Sequence, residues 1–134
     1  MARTYVLNWA GGVSRVYWYA WDDKNWIGLR MIENGDTPTR AAEAYRVVQR
    51  WLSRAVMTSC SEQSDGTWVA ELQRQGRKAW ILWNPHRVVS FTIPEHWHAT
   101  RGENLRGEQL PVGSGRLEFG ESPIMIEKIP QNSE

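Results

Sequence analysis

The chain has 134 residues, enough for one domain or one small domain with an attached segment. Its 16 basic and 15 acidic residues are interspersed and leave a net charge of +1, which excludes the basic stripe of a nucleic-acid binder and the acidic tail of a charged-partner protein. Nine tryptophans exceed the usual share several-fold, and point either to core filling or to a surface for flat, weakly polar ligands.

In chain order, Tyr5, Val6, Trp9 and Ala10 fall near helical spacing, and Gly11-Gly12 follows as a C-cap pair. Residues 3–10 therefore read as the last turns of a helix. Val13 to Trp21 is a nearly continuous apolar run with β-branched and aromatic bias, the pattern of a strand buried on both faces of a parallel sheet. The loop "DDKNWIGLRMIENGD" comes next, and loops of such length tend to carry function. Thr37 is the expected cap of the following helix, with Pro38 at its first position. Ala41, Ala44, Tyr45, Val48, Trp51, Leu52 and Ala55 form its apolar face, with the preceding strand as expected packing partner. Arg40, Glu43, Arg46, Arg50 and Arg54 occupy the other side.

After Met57 the period changes. "GTWVAELQRQGRKAWILWNP" predicts a hairpin turning at Gln75-Gly76, and further short strands are expected over Val88–Ile93, Leu117–Phe119 and Ile124–Ile129. The fold class is thus α+β. Residues 1–58 supply a helix end, a strand and a helix; residues 59–130 supply an antiparallel β-sandwich; residues 131–134 are a polar tail. One βα unit cannot close a core, and a strand apolar on both faces requires neighbours. The first half therefore reads as the end of something larger.

Sites of familiar chemistry are scarce. Cys60 is the single cysteine, so no disulfide forms within the chain. His96 and His98 flank Trp97 and would share one face of a strand, but neither His86 nor any other group supplies a third ligand at a recognisable spacing. Ser14, Ser53, Ser59 and Ser61 lack a nucleophile elbow. Gly11-Gly12 and Gly113–Gly115 lack the spacing of a phosphate loop. No metal or other cofactor is expected. No apolar run is long enough to span a bilayer, so no membrane partner is expected. "MARTYVLNWAGG" lacks the apolar region and cleavage site of a signal peptide. The compartment stays open.

The stretches "ARTYVLNWAGGVSRVYWYAWDD", "WIGL" and "PTRAAEAYRVVQRWLSRA", taken in that order, resemble the last strand and helix of a (β/α)8-barrel glycoside hydrolase of the large retaining clan. "DGTWVAELQRQGRKAWILWNP" and "SPIMIEK" resemble the β-sandwich appended to such barrels. The resemblance covers residues 2–129 and implies one terminal βα unit of a TIM-barrel type. Trp21 then matches the aromatic residue at the sugar site, with Trp18 as the next candidate. An indole offers an apolar face to a pyranose ring, and Asp22 and Asp23 accept bonds from its hydroxyls. Buried packing of the strand's rings is the competing role.

Retaining enzymes need two carboxylates roughly 5 Å apart, which the resemblance places on strands four and seven, upstream of Met1. Asp22 and Asp23 are adjacent and would diverge on an extended chain, so they do not substitute for that pair. The resemblance therefore implies a carbohydrate-binding wall without catalytic residues, with the missing barrel portion or another chain as protein partner. Two alternatives stand beside it. One is a self-sufficient carbohydrate-binding module using Trp68, Trp80, Trp83 and Trp97 as a platform. The other is a non-catalytic interaction domain.

Overall fold

The computed structural model describes residues 1–19, 21–22, 30–33 and 36–129. The molecule is α+β, with mainly antiparallel sheets and two helices among the described residues. Helix α1 (Ala2–Ala10) is followed by a two-stranded ribbon, β1 (Ile32–Glu33) and β2 (Thr37–Pro38), and by α2 (Arg40–Leu52). The strands β3 (Ala55–Glu62), β4 (Trp68–Arg74), β5 (Arg77–Trp83), β6 (Val89–Thr92), β7 (Arg101–Asn104), β8 (Gln109–Leu110), β9 (Arg116–Phe119) and β10 (Ile124–Glu127) complete the chain.

Six of these strands form one antiparallel sheet in the order β3-β4-β5-β10-β7-β8. The expected hairpin is β4–β5. Its two-residue turn, Gln75 and Gly76, lies between the paired Arg74 and Arg77, and both turn residues have positive φ (47° and 77°). That is the hairpin turn whose twist matches its strands. β5 and β10 pair, and beyond a corner their chains pair again as β6 and β9. The Asn84 N–H donates to the Gly120 carbonyl at 2.9 Å within that corner, so one long arm folds over the sheet.

The strand period divides the core into two layers. Ala79, Ile81 and Trp83 of β5 face the helices and pack with Val6, Val48, Trp51, Leu72 and Met125. Trp80 and Leu82 face the opposite way, toward Leu117, Phe119 and Ile126 under the β6–β9 arm. The packing partner of α2 is therefore the sheet, together with α1.

Three expectations are corrected. Val13–Tyr19 forms no strand, and Tyr17, Tyr19 and Trp21 are 82%, 73% and 58% exposed. A strand needs a neighbour for its N–H and C=O groups, and among the described residues no strand lies beside this segment. The rest of the run, Ala20, lies outside the described residues. The cap of α2 is Thr39, not Thr37: its Oγ1 accepts from the Ala42 N–H at 3.2 Å, while Thr37 and Pro38 belong to β2. The buried stripe of α2 is Ala42, Val47, Val48 and Trp51, rotated from the expected face, and Ala55 opens β3. The rotation follows from burial on two sides, by α1 and by the sheet.

Candidate functional site

Backbone hydrogen bonds fix Trp21 to the start of α2. The Met31 N–H donates to the Trp21 carbonyl at 2.8 Å, and the Thr39 N–H donates to the Met31 carbonyl at 2.9 Å. The Thr39 hydroxyl donates to the Arg30 carbonyl at 2.6 Å while capping α2. Three short segments are thus tied into one wall.

A cleft of about 470 Å³ opens against that wall. Met31 and Ala42, both buried, make its floor. Trp21 and Tyr45 are its aromatic sides, and Asp36, Arg46 and Gln49 bring polar groups to it. Its volume lies within the range of about 300–1,000 Å³ typical of small-molecule sites. A smaller cleft of about 210 Å³ adjoins it, sharing Trp21, Met31 and Tyr45 and adding Tyr5 and Trp18. Tyr5 and Tyr45 lean on each other with centroids 5.7 Å apart. Burial, with Tyr45 adding to it, pushes the Tyr5 phenol above its usual value, so it stays a neutral hydroxyl.

The predicted site residues separate. Trp21 lines the main cleft and is exposed. Trp18 is half-buried, and its indole Nε1 is buried with no hydrogen-bond partner among the described residues. Asp22 is exposed. Asp23 lies outside the described residues. Tyr45, Arg46 and Gln49 were missed because they sit on a helix read as a core stripe and a solvated face. The signal was present in their spacing: Ala42, Tyr45, Arg46 and Gln49 recur along one edge of α2.

The tryptophans proposed as a sheet platform do not assemble one. Trp80 and Trp83 are each 1% exposed and face opposite sides of the sheet. Trp83 stacks on Trp68 at 5.6 Å and Trp80 stacks on Trp97 at 4.4 Å. Their aromatic faces are used internally.

Among the described residues no group of three His, Cys, Asp or Glu side chains is placed to hold a metal, and no helix is long and apolar enough to cross a membrane. Cys60 is half-buried, and burial pushes its thiol up, away from thiolate chemistry. No protein family, curated protein or solved structure matches this chain.

Proposed function

We propose that this chain is the C-terminal portion of a (β/α)8-barrel glycoside hydrolase, supplying one wall of the sugar site and a supporting β-sandwich. The observation that carries the reading is the exposed run through Tyr17, Tyr19 and Trp21 on a segment with no strand partner among the described residues. Its composition is that of a doubly buried strand, yet Tyr17, Tyr19 and Trp21 lie largely in water. A barrel would place a strand on each side of it and bring Trp21 to the rim, beside the cleft. The order of helix, apolar segment, helix and antiparallel sheet supports the same assignment.

In this reading the chain binds carbohydrate and does not cleave it. The nucleophile and the acid/base belong to barrel strands that this chain lacks. Trp21 is a binding residue, and Asp22 is a hydroxyl acceptor at the rim. The test is turnover of aryl glycosides and of soluble polysaccharides. The 134-residue chain is expected to give none, and the product of the same reading frame extended upstream of Met1 is expected to hydrolyse at least one. Inactivity of an extended, folded product, or turnover by the short chain, contradicts the reading.

A further inference from the structure

We propose that the cleft between Trp21 and α2 selects a sugar unit bearing a carboxylate, a uronic acid, with Arg46 as the partner of that carboxylate. The sugar class rests on the glycosidase reading; the charge preference rests on Arg46.

Arg46 is the one cation among the described residues that line the cleft. It makes no ion pair among the described residues, whereas Arg50, on the same helix, is held by Glu103, and Arg74 is held by Glu127. A guanidinium presents a planar fork that meets a carboxylate through two parallel N–H···O bonds. A neutral hydroxyl uses only part of that fork. Trp21 and Tyr45 flank the cleft with flat apolar surfaces suited to the C–H faces of a ring, over the floor made by Met31 and Ala42. Gln49 lies three residues beyond Arg46 on the same helix edge, and its amide both donates to and accepts from hydroxyls.

Asp36 is the one carboxylate among the described lining residues, and no ion pair joins it to Arg46. Asp36 sits in a turn at φ 65°, while Arg46 sits on a capped helix. Arg46 meets a sugar carboxylate through both arms of its fork, and Asp36 accepts from hydroxyls of the same ring.

The test is calorimetric titration of the 134-residue chain, followed in parallel by tryptophan fluorescence, with four disaccharides. Two contain glucuronate or galacturonate, one is neutral cellobiose, and one is a glucosamine dimer. The uronate sugars are expected to bind about ten-fold or more tightly than cellobiose, as a charge-assisted pair predicts. That margin should shrink with added salt. Arg46→Gln is expected to erase the margin while leaving the circular dichroism spectrum unchanged, and Arg46→Lys to keep part of it. Equal affinity for acidic and neutral sugars, preference for the amino sugar, an unchanged margin in R46Q, or no binding of any of the four overturns the proposal. None of these results bears on turnover by the extended product, so the glycosidase reading stands or falls separately.

Discussion

Glu103 is a buried carboxylate that joins helix to sheet. It accepts from the Trp51 indole Nε1 at 2.8 Å and pairs with the Arg50 guanidinium, so both donors come from the last turns of α2. Charge in a core persists only when it is paired and hydrogen-bonded. Glu103→Ala strands the indole donor, and urea denaturation should show a loss of about 1–3 kcal/mol. Arg50→Ala leaves the buried Glu103 carboxylate with the indole as its one remaining donor among the described residues, and should likewise cost about 1–3 kcal/mol. Asp65 organises a second polar knot. Its carboxylate accepts from the N–H and the hydroxyl of Thr67 at 2.9 and 3.0 Å, and buried Asn84 donates to the Asp65 carbonyl and accepts from the N–H groups of His86 and Arg87. The backbone bond from Thr67, chiefly, holds the Asp65 carboxyl below its ordinary value of 3.8. The unfolded chain then binds the proton first as pH falls. The contribution is therefore complete above the ordinary carboxylate range and is lost as pH drops through the lowered value. Denaturation from pH 5 to pH 2 should show a shallower acid limb in Asp65→Asn than in the wild type.

The elements differ in how plainly they can be read from their residues. The β4–β5 hairpin is legible because Trp68, Ala70 and Leu72 alternate with more exposed neighbours, and Gln75-Gly76 provides the turn. α2 is legible as a helix but not in its cap, because Thr37 and Thr39 are equally good capping residues and only the hydrogen bonds choose between them. Thr39→Ala should cost about 1 kcal/mol in thermal or urea unfolding, whereas Thr37→Ala should leave the capping bond, and with it the helix, unchanged. β3 was hidden. It is an edge strand with a polar sequence, AVMTSCSE, and a shift of register between Met57 and Ser59 breaks its alternation. β7 was hidden for a different reason: Arg101–Asn104 includes a glycine and a buried carboxylate. A Cβ at Gly102 would lie 2.9 Å from Val112 Cγ1 and 3.0 Å from Leu110 Cβ, so the strand is set by close approach rather than by hydrophobic pattern. Glu103 is buried because α2 supplies its partners, a pairing between residues about fifty positions apart.

At the scale of the molecule, one side is packed on two layers while the other carries an unsatisfied aromatic run. Val13–Trp21 has the apolar pattern of a strand, yet among the described residues it has no strand neighbour and Val13–Tyr19 forms none. Half of the candidate cleft was legible in the same way. Trp21 announced itself by its place at the end of the run, but Tyr45, Arg46 and Gln49 enter only through the way α2 meets the turn around Met31. The exposed rings give a bulk signature. The chain should bind a hydrophobic dye such as ANS in its native state, and Tyr17→Ser/Tyr19→Ser should reduce that binding with little change in unfolding midpoint, since both side chains are largely in water. The same surface is what a barrel would cover. The most direct measurement of that claim is the nucleotide sequence immediately upstream of the Met1 codon. The glycosidase account predicts an open frame continuous with this one, encoding alternating strands and helices with a glutamate at the end of the fourth strand and another at the end of the seventh. A stop codon in frame shortly before Met1, or an upstream frame without those strands and glutamates, would contradict it.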